Sequence, residues 1–204
     1  MPKQTFLKLA DAKRKSFLHE AYKEFALHSF EAASITNLVK VLGIAKGSVY
    51  QYFKDKEALY TYLITEADRQ LQTLIDKTCV YEGEGFYDWY TKLLMIEVKF
   101  LLSFPQFALL FQKLNAQSGQ GQKKLANEIV ELKLSRISSH LPASLYDSEI
   151  NHIQLVRSPS LVFEMLTRDI ALHNLILEDS PVFLDTKELV SVCSTWVEKL
   201  KNGL

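Results

Sequence analysis

Residues 34–59 carry the pattern that most restricts the fold of this 204-residue chain. The first part of this stretch has apolar side chains spaced as on one face of a short helix, at Leu38, Val39 and Leu42. Gly43 follows directly, at the position where a helix commonly ends in a left-handed residue. A second helical segment begins at Lys46. Two short helices joined by a tight glycine turn are typical of a helix-turn-helix unit.

The second helix of such a unit lies in the major groove of DNA, with its first residues against the base edges. Lys46 and Gln51 have side chains that reach base edges or phosphates, and Gly47 lets the helix backbone approach the duplex. The next helix begins beside Lys54, and the free amides at a helix start attract phosphate. We therefore predict that double-stranded operator DNA is bound by Ser34, Thr36, Lys46, Gly47, Ser48, Tyr50, Gln51, Tyr52, Lys54 and Lys56.

The segment 43–59 also resembles the signature of the tetracycline-repressor (TetR) family of bacterial regulators. Its order is glycine, turn, small residue, tyrosine, any residue, tyrosine-phenylalanine, then a lysine-rich step into the next helix. The resemblance extends back to about Arg14 and covers roughly the first quarter of the chain. It implies a homodimeric transcriptional regulator, most often a repressor, in which DNA is contacted at the positions of Lys46, Gly47, Tyr50, Tyr52 and Lys56.

Two positions depart from the family pattern. Ser29 stands where the family usually has glycine, and serine adopts a left-handed cap poorly, so the first turn is expected to be built differently. Ala45 stands where the family often has a serine cap, so one hydrogen bond is expected to be missing. Ser34 and Asp55 are expected to cap the helices that follow them. Phe53 is expected in the core.

The rest of the chain is predicted to be helical, because no segment alternates apolar and polar residues as a strand does. The first helix is predicted from about Lys8 to Leu27. Later helices are predicted at about 56–79, 86–103, 105–115, 122–141, 148–177 and 186–202. Pro159 is expected to interrupt or bend the fifth of these. The fold class is therefore all-α.

The predicted organisation is a three-helix, helix-turn-helix DNA-binding domain over residues 1–58, followed by a helical regulatory, effector-binding and dimerisation domain over residues 59–204. Residues 1–60 contain ten Lys/Arg and six Asp/Glu, whereas residues 61–204 contain fourteen and eighteen. The N-terminal part is therefore basic and the remainder acidic, which favours binding of a polyanion by the N-terminal part alone.

Other motifs point away from an enzyme, a cofactor protein or a membrane protein. Cys79 and Cys193 are the only cysteines, which favours a reducing compartment and no disulfide framework. The longest apolar stretch, 93–104, is interrupted by charged residues and is too short to span a bilayer. No secretory signal follows Met1, so we expect a cytoplasmic protein. No nucleophile motif, phosphate loop or metal-ligand spacing is present, and no cofactor is expected.

The C-terminal part is rich in aromatic residues, which suggests a cavity for a small apolar effector or, alternatively, a plain core. We predict that the effector contacts Trp89, Leu93, Glu97, Phe100, Phe107, Phe111 and Phe163. Glu97 falls on the apolar side of its helix, where a carboxylate is costly unless paired. It either contacts a cationic or hydroxylated effector, or forms a salt bridge to Arg157 or Arg168.

Asp169 and His173 stand four residues apart on a largely apolar helix side. They could pair with each other, cross a dimer interface or supply two metal ligands, and the pairing is the favoured interpretation. Large apolar side chains dominate dimer interfaces, so Leu172, Leu189 and Trp196 are candidate anchors of a four-helix dimer bundle.

The leading hypothesis is thus a homodimeric transcriptional repressor that binds a palindromic operator and is released by a small molecule. One alternative is a DNA-binding regulator controlled by a partner protein. The other is a helical ligand-binding protein or enzyme whose N-terminal helices merely pack and bind no DNA.

Overall fold

The structure, a computed structural model, describes residues 1–116, 119–145, 152–166 and 185–202. Within these ranges every regular element is a helix, in agreement with the predicted all-α class. The α-helices are α1 (Gln4–Leu7), α2 (Asp11–Leu27), α3 (Ile35–Leu42), α4 (Lys46–Tyr52), α5 (Lys56–Thr78), α6 (Phe86–Ser103), α7 (Pro105–Ala116), α8 (Gln120–Ser139), α9 (His152–Leu166) and α10 (Thr186–Lys201). A short 3₁₀ turn, Ala143–Leu145, follows α8.

The N-terminal module consists of α1 to α4 and the beginning of α5. The predicted first helix, from about Lys8 to Leu27, is observed as α2, which begins at Asp11, and the separate short helix α1 that precedes it was not predicted. The small helix α1 packs on α4 and inserts Phe6, which is fully buried. The ring of Phe6 lies 4.9 Å from that of Phe53, the residue expected in the core, and Phe53 is itself fully buried.

The helices of the helix-turn-helix unit and the helix that follows it begin and end with the predicted capping residues. Ser34 caps α3 by accepting a hydrogen bond from the amide of Asn37 at 3.3 Å. Gly43 ends α3 in the left-handed region, with φ of 63°. Asp55 caps α5 by accepting from the amide of Ala58 at 2.8 Å. Ala45 makes no side-chain cap bond, as expected.

The turn between α2 and α3 shows what replaces the glycine that the family usually has there. The Ser29 hydroxyl accepts a hydrogen bond from the amide of Ala32 at 3.3 Å, and the Ser29 carbonyl accepts from the amide of Ala33 at 2.8 Å. The turn is therefore closed by side-chain and backbone bonds of serine.

The C-terminal part is organised around α6, which packs against α5, α7, α9 and α10. Its apolar residues are buried on more than one side, and it meets α7 at an angle of 107°. Helix α7 in turn packs extensively on α2 of the N-terminal module. Helix α9 continues through Pro159 without an interruption. Residues 148–151 and 167–177 of the predicted helix 148–177 lie outside the described residues.

In the parts of the chain that the structure describes, no single helix has the length and apolar character to cross a membrane. By length and composition alone, α6 and α7 pass such a test together, as a pair bent by 107°.

Candidate nucleic-acid interface

Helix α4 presents a polar, solvent-exposed face at the surface of the N-terminal module. Val49 is buried and anchors the helix in the core, so the opposite side faces solvent. The predicted DNA contacts exposed on α4 and just after it are Lys46, Gly47, Tyr50, Gln51 and Lys54. Ser48 is half-buried. A Cβ added to Gly47 would meet no atom within 4 Å, so the free protein does not itself require glycine there.

Helix α3 supplies the neighbouring part of this surface. Thr36 is exposed and accepts a hydrogen bond from the ammonium of Lys46 at 3.1 Å. This contact joins the starts of the two helices and holds a positive charge at their common edge. Ser34 is half-buried at the start of α3, where its hydroxyl oxygen already caps the helix.

Tyr52 differs from the other predicted contacts, because its ring belongs to the aromatic core. The ring lies 5.8 Å from that of Phe6 and 5.7 Å from that of Phe17, and the residue is half-buried. Packing therefore fixes the position of Tyr52, whereas Tyr50 on the same helix is 41 % exposed.

The sequence predicts a phosphate contact for Lys56, but the ammonium of this residue is directed into the module. It donates to the carbonyl oxygens of Phe30 at 2.6 Å, Glu31 at 3.2 Å and Ala33 at 3.1 Å. Its Nζ also lies 4.7 Å from the centroid of the Phe30 ring. An ammonium has three N–H donors, and these bonds use all of them. In this structure Lys56 closes the turn between α2 and α3 and has no donor left for a phosphate.

This difference between Lys54 and Lys56 leads to a prediction. Lys56→Met should lower the free energy of unfolding by about 1–3 kcal/mol, because the variant has no ammonium to bond the three carbonyls. Lys54→Met removes an exposed ammonium and should leave stability nearly unchanged. It should instead reduce the slope of log affinity against log salt for DNA by about 0.9 for each phosphate that Lys54 neutralises. Urea unfolding and salt titrations of DNA binding measure the two effects. A Lys56 variant with normal stability and a reduced salt slope would restore the phosphate assignment.

The N-terminal segment supports the interface in a way that the sequence pattern does not predict. The ammonium of Lys3 donates to the carbonyl of Tyr50 at 2.7 Å, and the Lys3 amide donates to the carbonyl of Tyr52 at 2.8 Å. The Thr5 hydroxyl donates to the carbonyl of Gln51. The last carbonyls of a helix have no partner within it, so these bonds satisfy the end of α4. The one feature of the sequence that could have indicated this role is Phe6, an apolar residue that precedes the predicted first helix.

The predicted effector contacts lie in the interior of the C-terminal part. The described members are at most 6 % exposed: Trp89, Leu93, Glu97, Phe100, Phe107 and Phe111. All of them except Glu97 belong to one hydrophobic core. The side chain of Phe163, on α9, lies outside the described residues. Asp169 and His173 also lie outside them, so the alternatives for that pair stay open.

Glu97 has neighbours other than the two arginines that the sequence suggests. Burial raises the pKa of its carboxyl group, while the charges of Lys133 and Arg136 lower it and that of Asp68 raises it further. Arg157 is exposed on α9, and Arg168 lies outside the described residues. Among the described residues, the cations whose charges act on Glu97 are Lys133 and Arg136 of α8.

The raised pKa of Glu97 predicts a pH-dependent stability. Between the ordinary carboxyl pKa and the higher folded value, the folded state holds this proton more tightly than the unfolded state, so stability falls as pH rises. Glu97→Gln removes that loss of stability and should therefore raise the melting temperature at pH 8 relative to wild type. The gain should vanish near pH 4.5, the ordinary pKa of the carboxyl group. Melting temperatures across this range test it, with exposed Glu128→Gln as control. A lower melting temperature for Glu97→Gln at pH 8 would show that the ionised carboxylate is structural.

No group of three or more His, Cys, Asp or Glu side chains in the described parts of the chain could hold a metal ion.

Comparison with known proteins finds a family model that matches most of the N-terminal module. The family model described as "Bacterial regulatory proteins, tetR family" matches residues 17–63, which include α3, α4 and most of α2. The HTH-type transcriptional regulator YdgC of Bacillus subtilis is 30 % identical over 82 residues, covering 40 % of this chain and 42 % of YdgC. The HTH-type transcriptional repressor AcnR of Corynebacterium efficiens is 32 % identical over 101 residues, covering 46 % of this chain and 53 % of AcnR. The chain thus spans about half the length of the curated relatives it matches.

Solved structures extend the likeness of fold to the whole chain. A TetR family transcriptional regulator from Chloroflexus aurantiacus superposes with a TM-score of 0.74 at 22 % identity, covering 100 % of this chain and 98 % of that one. The regulator FadR of Bacillus subtilis, solved in complex with stearoyl-CoA, superposes with a TM-score of 0.64 at 16 % identity, covering 93 % and 98 %. At these identities the superpositions show the fold.

Proposed function

Since the chain belongs to the tetR family of bacterial regulatory proteins, we propose that it is a DNA-binding transcriptional repressor that a small molecule releases from its operator. Residues 1–58 form the DNA-binding domain in this proposal, and residues 59–204 form the regulatory and dimerisation domain. Because its partner is DNA, the protein acts in the cytoplasm.

The observation that carries the proposal is the exposed polar face of α4. The helix is held from three sides: Val49 in the core, the Thr36–Lys46 bond to α3, and the bonds from α1 and Lys3 to its last carbonyls. Rigid support of a short helix that exposes lysine, glycine, tyrosine and glutamine is what reading a DNA groove requires. A module that only packs against its own chain has no need of this surface.

In this proposal the protein is a homodimer, and the second copy of the chain binds the second half-site of the operator. Among the side chains that the structure describes on α9 and α10, three large apolar ones are exposed: Leu161 at 37 %, Met165 at 47 % and Val190 at 39 %. They support a dimer interface built from these two helices. Leu189, a candidate anchor from the sequence, is buried within one protomer and belongs to its core instead. Leu172 lies outside the described residues, and Trp196 is half-buried against the core.

Two features of the fold support coupling between an effector site and the DNA-binding helices: the length of α5 and the packing of α7 on α2. Helix α5 begins in the N-terminal module and continues for 23 residues into the C-terminal part. Helix α7 packs on α2, and the rings of Phe107 on α7 and Tyr22 on α2 are 4.6 Å apart. The Tyr22 hydroxyl also donates to the carbonyl of Leu63 on α5 at 3.1 Å. A shift of α7 therefore acts on α2 directly. A tenfold loss of DNA affinity needs a coupling of about 1.4 kcal/mol.

DNA binding tests the proposal directly. Fluorescence anisotropy should show that the protein binds duplexes from upstream of its own gene at least about 10³-fold more tightly than shuffled duplexes of equal composition, at physiological salt. Sedimentation at micromolar concentration should give the mass of a dimer. Equal affinity for upstream and shuffled DNA, or a stable monomer, contradicts the proposal. Specific DNA binding that responds only to a cellular protein would favour the partner-controlled alternative.

A further inference from the structure

Helix α9 contains a proline in its interior, at Pro159. Proline has no backbone N–H, so it cannot donate the helical bond to the carbonyl four residues before it. In α9 that carbonyl belongs to Leu155, a residue that is 1 % exposed. A buried carbonyl that loses its helical partner costs free energy unless another donor reaches it. The Leu155 carbonyl therefore needs a donor other than the backbone of residue 159.

Tyr90 of α6 supplies this donor. Its hydroxyl donates to the Leu155 carbonyl at 2.7 Å. Tyr90 is fully buried, and its ring stacks on that of Phe86 with the centroids 6.0 Å apart, so packing fixes the position of the hydroxyl. Burial also raises the pKa of Tyr90 well above its ordinary value, so the hydroxyl keeps the proton that it donates. The bond joins α6 to α9 at the carbonyl that Pro159 cannot reach.

Ser158 adds a second hydroxyl beside the proline. It is fully buried, and its hydroxyl donates to the carbonyl of Gln154 at 2.6 Å. The Ser158 side chain also interacts with the Tyr90 hydroxyl. A serine that bonds back to the carbonyl four residues before it often bends a helix, and sharp bends are most frequent at proline. The pair Ser158–Pro159 is therefore the point at which α9 bends most easily.

This point separates two parts of α9 that have different surroundings. On its N-terminal side, Leu155 and Val156 are buried against the rest of the protomer. On its C-terminal side, Leu161 and Met165 are exposed, and they support the proposed dimer interface. The direction of the C-terminal part of α9 therefore determines where these two side chains point.

We propose that Ser158–Pro159 is a hinge in α9 and that the bond from Tyr90 to Leu155 is the latch that holds it in one conformation. The latch belongs to a single protomer, and only its consequence for assembly rests on the proposed function. Tyr90 directly follows Trp89, one of the predicted effector contacts on α6. A ligand that moves this part of α6 opens the latch and redirects the dimer helix, provided that it binds one of the two arrangements more tightly.

A double-mutant cycle tests the latch. Tyr90→Phe keeps the ring but leaves the buried Leu155 carbonyl without its donor, so it should raise the unfolding equilibrium constant about tenfold or more. Pro159→Ala restores an N–H that can donate to the same carbonyl. In the Pro159→Ala protein, the effect of Tyr90→Phe should therefore be at least about threefold smaller. Urea unfolding at one protein concentration measures all four proteins. An equal effect of Tyr90→Phe in both backgrounds overturns the proposal.

Tyr22→Phe is the matched control for this cycle. Tyr22 is 5 % exposed, and its hydroxyl also donates to a helix carbonyl, that of Leu63 at 3.1 Å. Residue 67, four positions after Leu63, is alanine, and its N–H can serve that carbonyl. Tyr22→Phe should therefore cost less than Tyr90→Phe, and Pro159→Ala should not change its cost. If Pro159→Ala changes the two tyrosine effects alike, the coupling is not specific to Leu155 and the latch is wrong.

Hydrogen exchange tests the hinge separately from the bond. The amides of residues 160–166 should exchange faster in Tyr90→Phe than in wild type, and they should regain protection in the double variant. Unchanged exchange in a folded Tyr90→Phe protein overturns the hinge. If Tyr90→Phe does not fold, a double variant that folds supports the latch, and a double variant that also fails to fold overturns it.

Sedimentation separates this proposal from the one on dimerisation. Tyr90→Phe should raise the dissociation constant of the dimer, and the double variant should lower it again. A wild-type monomer overturns the proposed dimer, while the unfolding cycle still decides the latch. A coupled cycle with an unchanged dissociation constant overturns the role of the latch in assembly.

Discussion

Asp68→Ala is expected to lower the free energy of unfolding by about 3–5 kcal/mol, because it leaves the guanidinium of Arg136 buried without its counter-charge. The two side chains are 7 % and 4 % exposed and form a bond of 2.9 Å between α5 and α8. Urea unfolding monitored by circular dichroism measures the loss. Removing both charges together, in Asp68→Leu with Arg136→Met, should cost much less than the single change, because no unpaired charge remains.

The exposed pair Lys124–Glu128 is the control for this experiment. Its side chains are 81 % and 54 % exposed, and such pairs contribute about 0–1 kcal/mol. Glu128→Ala should therefore change stability little. If Asp68→Ala costs no more than Glu128→Ala, the Asp68–Arg136 pair is not buried in solution as it is in the structure.

Gln51→Ala is expected to produce the largest change in DNA sequence preference. Gln51 is exposed on α4, and a bidentate contact from glutamine to adenine contributes about 1–3 kcal/mol of discrimination. A dimer makes the contact twice, so the loss of discrimination at the operator should be about 2–6 kcal/mol. Competition binding between the selected operator and single-base variants measures it.

Lys54→Ala is the matched comparison for the Gln51 variant. An exposed lysine that contacts phosphate should weaken binding to all sequences similarly and leave the order of preference unchanged. If Gln51→Ala also weakens all duplexes equally, Gln51 contacts the backbone and another residue of α4 reads the bases.

The sequence was sufficient for features that depend on residues within one or two helical turns. The left-handed Gly43, the caps at Ser34 and Asp55 and the helical character of the chain are all predicted correctly. Each depends on local backbone geometry and on hydrogen bonds between neighbours in the chain. The short helix α1 was not predicted, because a four-residue helix has too few positions to show a period, and the predicted start of the next helix is three residues early.

Contacts between residues far apart in the chain could not be predicted from the spacing of residues in the sequence. Lys54 and Lys56 look equivalent in the sequence, yet only the packing of the turn at residues 30–33 against α5 directs Lys56 inward. Asp68 and Arg136 are 68 positions apart, and no periodicity relates them. The helix-turn-helix and its exposed face follow from local sequence, because short-range backbone bonds determine them. The charged neighbours of Glu97 were decided by the tertiary structure alone, since the packing of α5, α6 and α8 sets which charges share one interior.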